Sequence, residues 1–306
     1  MKTAFLFPGQ GSQAIGMMSD LAAAHPIVKE LFLEASELLS SDLWSLTQEG
    51  PIEQLSQTEH TQPALLVAGV AAWKVWQNLN GDEPAVMAGH SLGEYTALCC
   101  AGAIEFADAV TLVRDRGRYM QDAVPAGEGG MAAILGLDDE AVKSVCEQLS
   151  AQELVQAVNF NAPGQVVIAG SSAGIELAVV AMKEAGARRA MPLPVSIPAH
   201  SSLMTPASQR LAQRLDSIDV RLPVIPVVHN CNVEIAQTKQ QIKANLVQQL
   251  DSPVRWVECI QVIEEQGVSR FIESGPGKVL SGMVKRIASN VEVACLEKAD
   301  SFQALI

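Results

Sequence analysis

The chain has 306 residues, of which 48 % are hydrophobic and 18 % charged; this excludes a disordered protein and fits one large domain with an insertion. The 34 acidic residues against 21 basic ones give a formal net charge of −13, which argues against a nucleic-acid partner. The apolar run at residues 3–7 ends at Pro8 and is too short for a signal peptide, and no apolar run of the chain is long enough to span a bilayer. We therefore expect no membrane contact and a cytoplasmic location.

The first 125 residues alternate short apolar runs with helical patterns. The predicted strands and helices of this part are, in chain order, strand 3–7, helix 26–39, helix 63–80, strand 85–88, helix 94–103 and helix 106–121. Helix 63–80 is predicted to start at Pro63, because proline is favoured in a first helical turn. Such alternation predicts a mainly parallel sheet that is covered by helices on both faces.

The pattern changes after the glycine-rich run at 125–130. The predicted elements that follow are strand 131–135, helix 139–149, strand 155–160, strand 165–169, helix 173–185 and strand 187–193. This β-α-β-β-α-β order is that of the ferredoxin-like unit. We therefore predict a small ferredoxin-like α+β domain at 126–196, inserted into a large α/β domain formed by 1–125 and 197–306.

The remaining residues return to the alternating pattern of the large domain. The predicted elements are helix 203–215, strand 224–229, helix 239–250, helix 254–266, strand 269–273, helix 279–287 and strand 291–295. The six cysteines include no C-x-x-C pair and the five histidines are scattered, so we expect reduced thiols and no metal site.

The pentapeptide Gly89–Gly93 fits the G-x-S-x-G pattern of a nucleophile elbow. A strand is predicted before it and a helix after it, which is the context that this motif requires. Glycine on both sides lets the backbone reverse sharply and exposes the Ser91 side chain at the apex of the turn. The N–H groups at the start of the helix then point at any oxyanion that forms beside Ser91.

A serine nucleophile needs a base, and His200 is the strongest candidate. It lies in a proline-stiffened loop where the inserted domain returns to the large one, and it follows Ser91 in the chain. His229, at the end of a predicted strand, is a rival. No acidic residue between Ser91 and His200 stands out as the third member of a triad.

Arg116 lies in the middle of the apolar stripe of helix 106–121. A buried guanidinium must be paired. The partner is either an internal carboxylate, for example Glu94, or a carboxylate on the substrate held by both arms of the guanidinium.

The loop after the first strand, Phe7–Gln13, is rich in glycine and glutamine. Loops at the carboxyl ends of parallel strands gather on one side of the sheet, so this loop is expected beside the elbow. A backbone N–H from it can complete an oxyanion hole with the N–H of Leu92. The loop has no lysine and does not fit a phosphate-binding P-loop.

Seven motifs, taken together, resemble those of the malonyl-CoA:acyl carrier protein transacylases of bacterial fatty-acid synthesis. They are Phe7–Gln13, Thr61–Ala64, Gly89–Tyr95, Arg116–Gly117, Asn159–Gln165, Pro198–Ser201 and Gly275–Leu280. The likeness runs from residue 5 to residue 287. It implies a hydrolase-like large domain with a ferredoxin-like insertion, malonyl-CoA as substrate, acyl carrier protein as partner and no bound cofactor.

The resemblance also implies a role for each site residue. Ser91 is the expected nucleophile and His200 its base, oriented by the main-chain carbonyl of Gln249 rather than by an acid. Arg116 is expected to bind the free carboxylate of the malonyl group. The expected oxyanion hole consists of the backbone N–H groups of Gln10 and Leu92.

Two other functions remain open from the residues alone. In a serine hydrolase, water would accept the acyl group instead of a thiol, and the elbow does not separate the two. In a non-catalytic carrier-protein binding module, Ser91 and His200 would be dispensable. Because carrier proteins are acidic as well, docking is expected to need a local basic patch, with candidates Arg188, Arg189, Lys278, Lys285 and Arg286.

Overall fold

The computed structural model describes all residues from Met1 to Ile306. Its nine strands are Thr3–Phe7 (β1), Val86–Gly89 (β2), Gly129–Leu135 (β3), Val155–Ala162 (β4), Gln165–Ser171 (β5), Arg189–Pro192 (β6), Val227–Val228 (β7), Arg270–Ser274 (β8) and Glu292–Leu296 (β9). They form two separate sheets, one of five strands and one of four.

Fourteen α-helices and one short 3-10 helix, Ser202–Met204, surround the sheets. The helices of the first half are Ser19–Ala24 (α1), Ile27–Leu39 (α2), Leu43–Glu49 (α3), Ile52–Leu55 (α4), Thr58–Asn78 (α5), Leu92–Cys100 (α6) and Phe106–Ala123 (α7). Those of the second half are Asp139–Leu149 (α8), Ser172–Glu184 (α9), Thr205–Asp216 (α10), Lys239–Gln249 (α11), Trp256–Glu265 (α12), Val279–Ile287 (α13) and Ala299–Gln303 (α14). None of them has the length and hydropathy required to cross a membrane.

The five-stranded sheet is parallel throughout, in the order β7-β2-β1-β8-β9. Alternate residues of β1 point to opposite faces. Phe5 and Phe7 pack in a core with α5 and α7, whereas Ala4 and Leu6 pack in a second core with α12 and α13. Burial on both faces explains why β1 and β2 are nearly continuous apolar runs. Because β1 and β2 are neighbours, the loops that follow them lie side by side.

The four-stranded sheet is antiparallel, in the order β4-β5-β3-β6, and its elements follow one another as β3-α8-β4-β5-α9-β6. The fold class, a hydrolase-like parallel core with a small ferredoxin-like unit, is thereby confirmed. All strands of the small sheet fall between Gly129 and Pro192; the domain boundaries at 126 and 196 stay a prediction.

Two predicted elements differ from the structure. Helix α5 begins at Thr58, so Pro63 lies inside the helix rather than in its first turn. The additional turn looks polar in sequence, yet Thr61 and Gln62 are buried, and tertiary packing stabilises it. The strand predicted at 224–229 is reduced to Val227–Val228, since Pro226 has no N–H for the ladder.

Short helices are the elements that the periodicity did not predict. Helices α1, α3, α4 and α14 have six, seven, four and five residues, too few to show a helical repeat.

Candidate active site

Ser91 stands at a sharp turn between β2 and α6, with φ of 52° and ψ of −106°. The two glycines of the motif are required by close backbone approach. A Cβ on Gly89 would lie 1.9 Å from the carbonyl carbon of Gly93, and a Cβ on Gly93 would lie 1.9 Å from the carbonyl oxygen of Phe7. The second approach also brings the end of β1 against the elbow. The strand-turn-helix context of the motif is present.

His200 completes a hydrogen-bonded chain with Ser91. Its Nε2 lies 2.8 Å from Ser91 Oγ, and its Nδ1 lies 2.7 Å from the carbonyl oxygen of Gln249. A carbonyl oxygen only accepts, so Nδ1 carries the proton and Nε2 is left to accept from the serine hydroxyl. The His200 backbone, at φ 65°, is fixed by its N–H bond to Leu250. The ring is therefore held in the tautomer that a general base needs.

The pKa of His200 is lowered to about 3, first by burial and second by the positive charge of Arg116. Only 3 % of the residue is exposed. The imidazole is therefore neutral, and able to accept a proton, throughout the neutral and mildly acidic range.

We expect the rate of Ser91 acylation to stay nearly constant between about pH 8 and about pH 5, because a base of depressed pKa stays unprotonated there. Single-turnover acylation rates across this range check the expectation, with circular dichroism as the control for folding at each pH. A tenfold fall per pH unit below about pH 6.5, the range of an unperturbed histidine, contradicts it.

Arg116 is 1 % exposed and has no carboxylate partner within the chain. Its Nη1 donates to Gln62 Oε1 at 2.8 Å, and its Nη2 donates to Gln249 Oε1 at 3.0 Å and to Ser91 Oγ at 3.1 Å. Its Nε has no partner. The ion pair with Glu94, one of the two alternatives for this residue, is not formed. A buried guanidinium with neutral partners, beside the serine, is a site for an anionic group.

A cleft of about 580 Å³ opens above Ser91. The large domain lines it with the Gln10 loop, the elbow and Arg116, and the small domain with Met131, Val167 and other side chains of its sheet. The backbone N–H groups of Gln10 and Leu92 donate to no acceptor within the chain. Both residues line the cleft beside Ser91, where free donors suit an oxyanion.

The other two histidines near the elbow have different partners. His229, the rival base, lies with its Nδ1 2.7 Å from Glu94 Oε1 and makes no hydrogen bond to Ser91. His90 lies 2.7 Å from Asn161 Oδ1 through its Nε2 and packs edge-on against the ring of Trp256. Of the three histidines near the elbow, only His200 contacts the serine hydroxyl.

Two side chains that hold the site together, Asn230 and Gln62, had no role assigned to them from the sequence. Asn230 accepts the N–H of Ser91 at 2.7 Å and donates to the carbonyl of Gly89 at 2.8 Å. Gln62 orients Arg116, as described above. Asn230 follows the short strand β7, next to β2, so its place at the carboxyl end of a parallel strand was the available signal.

Known proteins match this chain over nearly its whole length. An acyl transferase domain model matches residues 4–298. The chain is 52 % identical to the malonyl CoA-acyl carrier protein transacylase of Escherichia coli K12, over 99 % of this chain and 98 % of that protein. The chain belongs to the malonyl-CoA:acyl carrier protein transacylase family.

Solved structures of the family superpose closely. A Vibrio cholerae acyl carrier protein S-malonyltransferase, 53 % identical, gives a TM-score of 0.98 with 100 % of both chains covered. A malonyl-transacylase solved in complex with its type II PKS acyl-carrier protein is 50 % identical, with a TM-score of 0.98 over 100 % of this chain and 99 % of that one. The roles of Ser91, His200, Gln249, Gln10, Leu92 and Arg116 stay predictions, supported by the distances above.

Proposed function

We propose that the protein transfers a malonyl group from malonyl-CoA to the phosphopantetheine thiol of acyl carrier protein, for fatty acid biosynthesis, through a malonyl ester of Ser91. The observation that carries this proposal is the unneutralised Arg116, whose Nη2 lies 3.1 Å from Ser91 Oγ. One methylene separates the carboxylate of a malonyl group from its thioester carbonyl. A carboxylate bound at Arg116 therefore brings that carbonyl to the serine.

In the first step, Ser91 Oγ attacks the thioester carbonyl and its proton passes to His200 Nε2. The backbone N–H groups of Gln10 and Leu92 stabilise the tetrahedral oxyanion. The carbon–sulfur bond then breaks, and the proton on Nε2 goes to the departing coenzyme A thiolate. A malonyl ester of Ser91 remains.

In the second step, the carrier-protein thiol gives its proton to His200 Nε2 and attacks the ester carbonyl. The bond between that carbonyl carbon and Ser91 Oγ breaks, and the proton returns to the serine oxygen. Both acyl donor and acceptor use one site in turn, so the kinetics are expected to be ping-pong. The chain's own groups carry both steps, and we propose that no cofactor is needed.

We further propose that the protein works in the cytoplasm. All six cysteines are free thiols, which fits a reducing compartment.

Intact-protein mass spectrometry after brief mixing with malonyl-CoA tests the proposal. A malonyl adduct on the wild-type chain, absent from Ser91→Ala, is the expected result. Holo carrier protein, added next, is expected to remove the adduct from Ser91 and to increase in mass by one malonyl group. Consumption of malonyl-CoA with release of free malonate, and no malonyl carrier protein, indicates a hydrolase instead. Wild-type chain that neither reacts nor consumes malonyl-CoA, but binds carrier protein, indicates a binding module.

Two of the basic residues expected to form a docking patch, Arg189 and Arg286, lie at the small sheet. Leu135 of β3 pairs with Arg189 on one side and with Gln165 on the other, and Gln165 accepts a hydrogen bond from Arg286. Arg189 and Arg286 are exposed. Leu193, which directly follows β6, lines the cleft. The strand that carries Arg189 therefore leads from this patch to the cleft. We propose that an acidic carrier protein docks here.

Arg189→Glu is expected to raise the KM for carrier protein by about tenfold and to leave the rate of Ser91 malonylation by malonyl-CoA unchanged. Lys29→Glu, an equal charge change at an exposed position of α2, is the matched control. Steady-state kinetics at low ionic strength measure both variants. An unchanged KM for carrier protein in Arg189→Glu rules out this docking face.

A further inference from the structure

A buried carboxylate, Glu94, lies beneath the elbow and has no part in the two steps above. It is the third residue of α6 and is fully buried. No lysine or arginine pairs with it. Its Oε1 lies 2.7 Å from His229 Nδ1, and its Oε2 accepts the backbone N–H of Asn230 at 2.8 Å and the side-chain amide of Gln249 at 2.9 Å.

The two residues bound to Oε2 are those that fix the backbone of Ser91. Asn230 Oδ1 accepts the Ser91 N–H at 2.7 Å, and Gln249 Nε2 donates to the Ser91 carbonyl at 3.0 Å. Both peptide groups of a residue with φ of 52° are thus held by side chains. The left-handed backbone of a serine persists only where its surroundings impose it.

Gln249 extends the same anchor to the other reacting groups. Its carbonyl oxygen accepts from His200 Nδ1, and its side-chain oxygen accepts from Arg116 Nη2. One carboxylate oxygen therefore connects, through a single intervening residue, to nucleophile, base and carboxylate-binding arginine. The residues so connected, Ser91, Arg116, His200 and Gln249, come from four separate segments of the chain.

We propose that Glu94 is a positioning residue for the transfer reaction. By accepting from Asn230 and Gln249 at one oxygen, it keeps the strained elbow and the carbonyl that orients His200 in mutual register. It touches neither substrate nor reacting atoms. Displacing a reacting group by about 1 Å reduces a rate about 100-fold. We therefore expect the loss of Glu94 to lower the rate of Ser91 malonylation much more than the affinity for malonyl-CoA. This inference rests on the proposed function.

A second buried glutamate supplies a matched control. Glu273, 1 % exposed, accepts the backbone N–H groups of Leu280 and Ser281 at the start of α13. It is also a carboxylate buried in the large domain and bonded to two donors, but it has no hydrogen bond to any residue of the site. Replacement of either residue is expected to affect folding stability; only replacement of Glu94 is expected to affect the chemistry.

The experiment compares Glu94→Ala, Glu94→Gln and Glu273→Ala in single-turnover malonylation by malonyl-CoA, with thermal unfolding of each. Glu94→Ala is expected to lower the rate of Ser91 malonylation about 100-fold, with the KM for malonyl-CoA changed by less than about threefold. Glu94→Gln is expected to restore most of the rate. Its amide oxygen can take the Oε2 position while its NH2 faces His229 Nδ1, which accepts in its other tautomer.

A folded Glu94→Ala with the wild-type rate overturns the proposal. So does Glu94→Gln as slow as Glu94→Ala, or an equal rate loss in a folded Glu273→Ala. If Glu94→Ala does not fold, Glu94→Asp decides, because its carboxylate is withdrawn by about 1.5 Å: a rate about tenfold lower is expected, and an unchanged rate overturns the proposal. A wild-type chain that forms no malonyl adduct refutes the proposed function instead.

Discussion

His200→Ala is expected to lower the rate of Ser91 malonylation at least about 10⁴-fold at pH 7.5 or so, because the serine hydroxyl then has no group to take its proton. The Gln10 and Leu92 donors and Arg116 remain, so malonyl-CoA is still bound and a slow residual reaction persists. Quenched-flow mixing followed by intact-protein mass spectrometry measures the acylation rate directly.

The same variant tests whether one base serves both halves of the reaction. In the proposed mechanism His200 also deprotonates the carrier-protein thiol, so transfer from a preformed malonyl enzyme is expected to slow as well. Substitution of His25, which packs near the ring of Phe302 away from the cleft, is the control for the loss of a histidine. A folded His200→Ala that acylates at the wild-type rate contradicts the assignment of the base.

The parts of the site that could be predicted from sequence are those in which a local pattern carries the chemistry. The G-x-S-x-G pattern between strand and helix located Ser91, and helical spacing placed Arg116 on the buried side of α7. Both signals lie within one turn or one helix. The sharp turn that exposes Ser91 and the buried face that carries Arg116 both follow from rules that act over a few residues.

The partners of these residues could not be found in this way. Gln249 acts on His200 through a main-chain carbonyl, which every residue has, so no residue type marks it. Its side chain contacts Ser91 across 158 positions of sequence, a contact that only the fold brings about. Only the resemblance to a family identified Gln249. For Arg116, helical spacing left two alternative partners and the resemblance favoured the substrate carboxylate; in the structure its side chain donates to neutral groups of the protein.

The fold follows the same division. Long periodic segments such as α7 were predicted almost to the residue, whereas α5 extends a turn beyond its prediction. Local preference placed proline at the start of that helix. Burial of Thr61 and Gln62 against the rest of the domain outweighs it, and the extra turn presents Gln62 to Arg116. The turn that the sequence-based prediction omitted from α5 therefore carries Gln62, a residue of the site.

Arg116→Ala is expected to lower kcat/KM for malonyl transfer about 10³-fold. Loss of one partner of a buried, hydrogen-bonded charge pair removes about 4 kcal/mol, and each 1.4 kcal/mol or so is a factor of ten. Transfer of an uncharged acetyl group is expected to be maintained or to rise, because acetyl no longer leaves a buried guanidinium without an anion. Initial rates with malonyl-CoA and acetyl-CoA, measured on the same preparation, give the two ratios.

Arg118→Ala is the matched control, since Arg118 lies on the same helix, is exposed and pairs with Glu59. It should change neither rate, because an exposed ion pair contributes little. Arg116→Lys keeps the charge but loses the two-armed geometry, so its malonyl rate should fall between those of wild type and Arg116→Ala. Equal losses of malonyl and acetyl transfer in Arg116→Ala would mean that the guanidinium supports the serine, through its 3.1 Å contact with Oγ, rather than the substrate carboxylate. A selective loss of malonyl transfer assigns acyl-group recognition to a charge that the fold buries and leaves without a counter-ion.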